Sequence, residues 1–459
     1  MKLVFGAMIL AASMAVFAQE KELPPEGGPP KPFHLAKTDD FTLPNGMKVT
    51  LAPYGTVPRT AVRAFVEAGG VNEAPNQVWL SRLTGLLLKE GTTTRSAEEV
   101  ARDAAETGGT LEVEAGVEDT SVGGVVLSDH ASKFVALIAD VLSKPLLPES
   151  QIPRLKADLS RELAVAKAEP GSIARENFLK TLFPASPYGR VFPAESDLQR
   201  YSIEDVRIFY QRNFGAARTH LYVSGKLDPG LDQAIRSAFG SWPAGSPPER
   251  ISAHPVKERS LSVIDRPGAP QSTVYMGLPV ADPTSSDYIG LDVTDALLGG
   301  SFASRITSNI REQKGYTYSP FSQIATRRHI AYWVEVADVT TSVTGPSLKE
   351  IFYEVDRLRK DPPSAQELKG IQNYLAGLFV LKNTISPDAV IGQLHFVDSQ
   401  GLDRSFLSDY VPRVLAVKPT DVQGLTETYI VPGKMTIVVV GDKSKIADQL
   451  KPYEATVQQ

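Results

Sequence analysis

The sequence contains no cysteine, and this absence excludes both disulfide bonds and thiolate chemistry. It also lacks a strong charge bias, because the formal net charge is only -5 over 459 residues. After the first 18 residues, no apolar run approaches the ~20 residues that a membrane-spanning helix needs. The composition therefore predicts a chain that binds no nucleic acid, has no membrane span in its mature form and is held together by burial alone.

Histidine is also scarce. The six histidines are His34, His130, His220, His254, His329 and His395, and no two of them are close enough to bind one ion from a single helical face. This spacing excludes a local zinc site built on a histidine pair. A site assembled from distant histidines and carboxylates stays open, although scattered histidines are more often ordinary core or surface residues.

The N-terminus has the pattern of a secretory signal. Met1-Lys2 precedes an apolar run over residues 3–17, and Ala18 provides a small residue before Gln19. We therefore predict a signal peptide over residues 1–18 and a periplasmic location. A membrane anchor is the alternative, but the run is too short to span a bilayer. Residues 19–37 are rich in Pro, Gly and charge and are predicted to form a flexible leader.

Strand and helix patterns alternate along the rest of the chain. Asn45-Gly46 predicts a hairpin turn, and Ser96 with Glu99 predicts a capping box at a helix start. Helical periodicity predicts further helices over residues 131–143, 149–168, 172–182, 202–214, 286–298, 347–359 and 365–381. This pattern is typical of an α+β fold, with mostly antiparallel sheets and helices packed on one face.

The chain divides into two halves that resemble each other. Residues 241–259 are rich in Pro and Gly and predict a linker between domains over residues 38–240 and 260–455. A shift of 216 positions places Asp205-Val206 on Asp421-Val422 and residues 223–225 on residues 439–441. We therefore predict two duplicated halves that form a clamshell around a cavity and hinge at the linker.

Residues 301–318 contain the chain's most distinctive chemistry. Phe302, Ile306 and Ile310 recur at helical spacing and predict a buried helix face, and a strand is predicted after Gly315 ends the helix. A tight turn at Gly315 would bring Arg311 beside Tyr318, and two such donors can polarise a carbonyl or stabilise an oxyanion. The alternative is a helix-capping arginine and an unrelated tyrosine on a strand.

Several landmarks together resemble the insulinase (pitrilysin) family of zinc metallopeptidases over roughly residues 41–450. They are Gly91-Thr92, Gly108-Gly109, Pro187-Tyr188-Gly189, Arg266-Pro267-Gly268-Ala269-Pro270-Gln271 and Ile310-Arg311-Glu312-Gln313-Lys314-Gly315-Tyr316. In that family, a His-x-x-Glu-His motif before the Gly-Thr landmark holds zinc and activates water. Here the three motif positions fall on Arg82, Gly85 and Leu86, and Glu162 matches the family's third ligand. The resemblance therefore implies a degenerate metal site and no metal bound by this chain.

The resemblance also implies that Arg311 and Tyr318 are catalytic and substrate-binding residues, because relatives use such a pair on the substrate carbonyl across the cavity from zinc. Tyr316 replaces the usual apolar residue, so either tyrosine can face the cavity, and we favour Tyr318. The leading hypothesis is a non-catalytic, periplasmic subunit that forms a heterodimer with a homologous zinc-bearing subunit carrying His-x-x-Glu-His and acts on peptides. The alternatives are a pseudoenzyme with a peptide-binding or assembly role in the cell envelope, and a chain that is an active hydrolase alone.

Overall fold

The computed structural model describes residues 37–454. The predicted signal peptide and residues 19–36 of the predicted leader lie outside this range, as do residues 455–459. Between residues 37 and 454, no helix combines the length and the apolar character needed to cross a membrane.

The first half of the described chain contains six strands and, apart from short 3₁₀ turns, eight helices. The strands are β1 (Asp39–Thr42), β2 (Lys48–Pro53), β3 (Arg59–Val66), β4 (Glu112–Ala115), β5 (Thr120–Leu127) and β6 (Thr219–Gly225). The helices are α1 (Leu80–Leu88), α2 (Ala97–Ala105), α3 (Ala131–Ser143), α4 (Ile152–Ala168), α5 (Pro170–Leu182), α6 (Glu195–Arg200), α7 (Ile203–Asn213) and α8 (Leu231–Phe239).

The second half, as far as residue 454, contains five strands, seven α-helices and one π-helix. The strands are β7 (Ser260–Asp265), β8 (Gln271–Val280), β9 (Phe321–Arg327), β10 (Ile330–Thr340) and β11 (Thr436–Gly441). The α-helices are α9 (Tyr288–Leu298), α10 (Thr344–Lys360), α11 (Ala365–Asn383), α12 (Pro387–Gln400), α13 (Ser405–Ala416), α14 (Pro419–Tyr429) and α15 (Lys443–Leu450), and the π-helix is Thr307–Gln313.

The two halves have separate sheets with matching topology. The first sheet has the order β1-β2-β6-β3-β5-β4, and the second has the order β7-β11-β8-β10-β9. The pairs β2–β6 and β7–β11 are parallel, and the remaining pairs in both sheets are antiparallel. The second order repeats the first once β1 is set aside, so the predicted α+β fold with duplicated halves is confirmed. The predicted shift also aligns α7 with α14 and β6 with β11.

Local sequence signals explain several helix starts. The Ser96 hydroxyl accepts from the backbone N–H of Glu99 at 3.2 Å, while the Glu99 carboxylate accepts from the backbone N–H of Ser96 at 2.8 Å. This reciprocal pair is the capping box that the sequence predicts for α2, and Ser202 with Asp205 repeats it at α7. Each pair satisfies backbone donors that have no partner within the helix.

Each half contributes one helix that packs on the sheet of the other half. The helices of each half cover one face of their own sheet, as predicted, but the opposite face carries a helix from the other half. Helix α5 of the first half packs on the second sheet through Phe178 and Leu182, while α12 of the second half packs on the first sheet. Alternation along β10 allows this arrangement, because Trp333 faces the second half's own helices while Tyr332 and Val334 face α5.

Polar contacts add to the attachment of α12 to the first sheet. The Arg63 guanidinium on β3 lies 3.1 Å from the Asp388 carboxylate, and His395 Nε2 lies 2.9 Å from Asp119 Oδ2. The His395 ring also stacks on Phe65, with 3.7 Å between ring centroids. These contacts join the halves directly, in addition to their covalent connection.

The predicted linker contains no helix or strand. Over residues 241–259 the chain runs between α8 and β7, and Val256 donates to the backbone carbonyl of Leu182 at 2.8 Å. The predicted domain bounds and the hinge at this segment stay predictions.

Candidate functional site

Helix α1 carries the three positions where the resemblance places a metal motif. Its N-terminus is held by Glu73, whose carboxylate accepts from the backbone N–H groups of Trp79 at 3.1 Å and Ser81 at 2.8 Å. The Ser81 hydroxyl donates to the same carboxylate at 2.6 Å. Burial raises the pKa of Glu73 to about 7, and the hydrogen bonds from Ser81 and Trp79 oppose that rise. The Glu73 carboxylate therefore holds the start of α1, and these hydrogen bonds occupy it.

An ion pair joins two of the degenerate positions. Arg82 Nη2 lies 2.6 Å from Glu162 Oε1 on α4, and the same guanidinium sits over the Trp79 ring, 4.3 Å from its centroid. A guanidinium has no lone pair to offer a metal, and it engages the only carboxylate among the four degenerate positions, that of Glu162.

The other two positions offer no ligand either. Gly85 has no side chain, and a Cβ there would meet Val113 and Ala115 of β4 at 3.5 and 3.6 Å, which is ordinary contact. Leu86 carries no donor atom, so the residues at this site do not fit zinc. Elsewhere within the described part of the chain, no three His, Asp or Glu side chains cluster in a way that could hold a metal ion.

We expect the purified chain to bind no stoichiometric zinc, because Arg82, Gly85 and Leu86 supply no ligand. Elemental analysis of the protein after dialysis against zinc checks this, and about one tightly held zinc per chain would contradict it. The triple variant Arg82→His, Gly85→Glu, Leu86→His is the comparison. It tests whether restoring the three ligands is enough for zinc binding, because the groups that orient metal ligands also affect affinity.

The degenerate positions line a cavity of about 680 Å³. Its walls come from α1, β4, α4 and α5 of the first half, and Arg327 at the end of β9 contributes from the second half. Strand β4 ends the first sheet, so its outer edge pairs with no other strand between residues 37 and 454. The cavity therefore combines apolar walls, a free strand edge and several charged side chains.

Arg311 and Tyr318 come together as the spacing predicts. Arg311 Cζ lies 5.2 Å from the Tyr318 ring centroid and 4.5 Å from that of Phe302, so the guanidinium lies against two aromatic rings. Gly315 makes the turn with a φ of 65°, a left-handed conformation that glycine adopts without strain. Arg311 Nε is also 3.4 Å from Glu312 Oε1.

The structure corrects two details of the predicted stretch. Ile306 and Ile310 are fully buried, but Phe302 is 68% exposed, because it contacts Arg311 rather than the core. The helix is a π-helix, and the following strand begins only at Phe321, so Tyr318 lies in the loop before it. π-Helical turns are frequent at functional sites.

The two tyrosines have different surroundings. Tyr316 packs partly buried against the core of the second half, and its backbone bonds to Ile310 and Thr340 at 2.8 and 3.0 Å. Tyr318 is 78% exposed. Tyr318 is thus the tyrosine presented outward with Arg311. None of Arg311, Tyr316 and Tyr318 lines the cavity beside α1, so the Arg311–Tyr318 pair and the degenerate metal positions do not share that cavity.

Two buried carboxyl groups lie beside Gly299 and Gly300, at the turn that follows α9. Asp295 accepts from the Ser322 hydroxyl at 2.5 Å and from Trp333 Nε1 at 2.8 Å, and Ser322 also donates its backbone N–H to the Gly299 carbonyl. Glu335 is fully buried, with no hydrogen-bond partner for either oxygen among the described residues. Burial raises the pKa of Asp295 to about 7, with nearby Asp292 adding to the rise, and burial also raises the pKa of Glu335.

We expect Asp295 to contribute a fall in the free energy of unfolding as the pH rises from about 4 to 7, because folded Asp295 retains a proton that the unfolded chain releases. A tenfold difference in proton affinity between the two states corresponds to ~1.4 kcal/mol. Asp295→Asn should flatten this dependence, since an amide does not ionise but its oxygen can still accept from Ser322. Urea unfolding at several pH values measures the slope. The exposed control Asp232→Asn should keep the wild-type slope, and an equally steep slope in Asp295→Asn would refute the assignment.

The fold and site define a two-sheet α+β protein with a cavity beside a degenerate metal position. The profile described as "Insulinase (Peptidase family M16)" matches residues 49–192, and the profile described as "Peptidase M16 inactive domain" matches residues 200–375. The chain belongs to the insulinase family, peptidase family M16.

Several relatives and solved structures are similar to this chain over most of its length. An "uncharacterized zinc protease" of Streptomyces coelicolor is 22% identical, over 89% of this chain and 91% of its own length. An "uncharacterized zinc protease" of Bacillus subtilis is 22% identical, over 74% of this chain and 83% of its own length. A peptidase M16 inactive domain from Pseudomonas fluorescens has a TM-score of 0.82 at 21% identity, covering 88% of this chain and 98% of that one. A protease from Helicobacter pylori has a TM-score of 0.83 at 19% identity, covering 89% of this chain and 100% of that one.

Sequence reasoning missed three arginines that line the cavity, namely Arg175, Arg190 and Arg327. They come from distant parts of the chain and share no motif. Only Arg190 had a local signal, because it directly follows the Pro187-Tyr188-Gly189 landmark.

Proposed function

We propose that this chain is the non-catalytic subunit of a periplasmic two-chain insulinase-type peptidase. It would supply Arg311 and Tyr318 to the substrate carbonyl and oxyanion, while a homologous partner supplies zinc. The observation that carries this proposal is the contact between the Arg311 guanidinium and the exposed Tyr318 ring, in a chain whose own metal positions offer no ligands. Family membership and the predicted signal peptide support the rest.

The chemistry of the pair suits this role. A guanidinium and a phenol are both hydrogen-bond donors, and donors fixed before the reaction stabilise negative charge as it develops. The contacts of Arg311 with Phe302 and Glu312 restrict its side chain. In a heterodimer, the partner's zinc would polarise the scissile carbonyl, and this chain would bind the peptide and stabilise the oxyanion.

The second candidate is a pseudoenzyme that binds peptides or assists assembly in the cell envelope. The free edge of β4 beside the cavity favours it, because an extended peptide can add to an unpaired strand edge through backbone hydrogen bonds. This role requires neither Arg311 nor Tyr318. Peptide cleavage therefore separates the two candidates.

The test is co-expression with a homologue from the same genome that carries His-x-x-Glu-His, followed by purification and a peptide cleavage assay. We expect the two chains to co-purify and to cleave peptides together, while this chain alone is inactive. Co-purification without any gain over the partner alone would favour the pseudoenzyme, and zinc-independent cleavage by this chain alone would overturn both. N-terminal sequencing of the periplasmic fraction checks the predicted start near Gln19.

A further inference from the structure

The cavity beside α1 is lined by four arginines, of which Arg82 is paired with Glu162. The other three, Arg175, Arg190 and Arg327, come from α5, the loop after it and β9, so both halves contribute. None of the three lies within ion-pair distance of a carboxylate among residues 37–454. Four guanidinium groups line the cavity against three carboxylates, those of Glu73, Glu114 and Glu162, and this excess of positive charge favours an anionic ligand.

The hydrogen bonds of these arginines leave donors available. Arg190 Nη1 donates to the backbone carbonyl of Glu73 at 2.8 Å, and Arg327 Nη1 donates to that of Thr326 at 2.7 Å. Arg175 is exposed and makes no hydrogen bond to the described residues. Each guanidinium has five N–H donors, so all three retain the capacity to bind a carboxylate.

The three carboxylates at the cavity offset only part of this charge. The Glu73 carboxylate is buried and accepts from Trp79 and Ser81, and Glu162 is engaged by Arg82. Glu114 lines the cavity as well, from an exposed position on β4 that shares a strand face with Glu112. Glu112 pairs with Arg63 there, whereas Val113 and Ala115 face α1.

We propose that this cavity binds an extended peptide through a carboxylate, carried either by an acidic side chain or by the peptide's C-terminus, with Arg175 and Arg327 as its main contacts. The free edge of β4 and the apolar side chains of Val113 and Phe192 suit an extended backbone beside the arginines. This inference goes beyond the proposed function, because it concerns the isolated chain and involves neither Arg311 nor Tyr318. It assigns a preference for acidic peptides to a cavity that has lost its metal ligands.

Fluorescence anisotropy with four labelled decapeptides of otherwise identical sequence tests the proposal on the purified mature chain. Two carry C-terminal amides and differ only in having two Glu or two Gln, the third has the Gln sequence with a free C-terminal carboxylate, and the fourth has two Lys. We expect the Glu peptide, the free-carboxylate peptide or both to bind about tenfold tighter than the Gln amide. Which of them does so identifies the source of the carboxylate. The Lys peptide should bind most weakly, and added salt should reduce the preference.

Variants at the cavity provide the second arm. Arg175→Gln and Arg327→Gln should each weaken binding of the preferred peptide by about two- to fivefold, as expected for partly exposed charge pairs. The binding of the Gln amide should stay unchanged. Arg161→Gln is the matched control, because Arg161 is an exposed arginine on α4 that pairs with Asp158 and does not line the cavity.

Three results would overturn the proposal: equal affinity for the Glu, Gln and free-carboxylate peptides, no binding of any peptide, or wild-type affinity in both variants with unchanged circular dichroism. The binding assay uses the isolated chain, whereas the proposed function is tested by cleavage in the two-chain complex. A failure of either test therefore leaves the other conclusion standing.

Discussion

Replacing Arg311 by Ala or Tyr318 by Phe should lower turnover of the reconstituted two-chain complex by ~10²–10³, equivalent to ~2.7–4 kcal/mol of barrier. The reason is that each change would remove one of the two donors that the proposed complex directs at the developing oxyanion. The contact of Arg311 with Tyr318 and Phe302 means that the two donors are already close together before substrate binds. Initial rates at saturating peptide measure the effect.

Several controls make this expectation specific. Arg311→Lys should not fully restore turnover, because an ammonium lacks the planar fork of the guanidinium. Tyr316→Phe is the matched control, since Tyr316 packs against the core and should retain wild-type turnover. Co-purification with the partner should be unchanged in all variants.

The competing explanation makes a different prediction. If Arg311 only complements the end of its helix, Arg311→Ala should cost ~0.3–1 kcal/mol of stability and leave cleavage alone. Wild-type turnover in both Arg311→Ala and Tyr318→Phe would therefore reduce this chain to a scaffold.

Phe178→Ala should lower the free energy of unfolding by ~3–5 kcal/mol, the range typical of large-to-small changes at a buried phenylalanine. Phe178 belongs to α5 of the first half but is 1% exposed against the second sheet. Its ring centroid lies 6.0 Å from that of Tyr275 and 5.9 Å from that of Tyr332. A Cβ at Gly277 would stand only 3.0 Å from Phe178 Cζ, so the ring packs closely on the strand backbone.

Urea unfolding followed by circular dichroism measures this loss. Val165→Ala on neighbouring α4 is the control, because Val165 is 64% exposed and its truncation should change stability by less than ~0.5 kcal/mol. A loss below ~1 kcal/mol for Phe178→Ala would show that the exchanged helix contributes little to the association of the halves.

The sequence alone determined most local structure and the character of the site. Capping boxes and helical periodicity identified α2, α3 and α7, because these signals lie within a few residues of the helix they predict. The repeat between β6 and β11 was visible because both are buried strands that end at a glycine. The loss of the metal ligands at Arg82, Gly85 and Leu86 follows from the sequence alone, since side-chain identity decides whether these positions can bind a metal.

Tertiary structure decided what depends on contacts between distant segments. Helix α12 was not predicted, although its buried side chains Val390, Ile391, Leu394 and Val397 recur at helical spacing. Its packing on the sheet of the other half is decided by tertiary contacts that the sequence does not contain. Periodicity also wrongly predicted burial for Phe302, since spacing marks a helix face but cannot show that an arginine will cover the ring. The unpaired arginines of the cavity come together only in the folded chain, because electrostatic balance at a site depends on distances that sequence order does not contain.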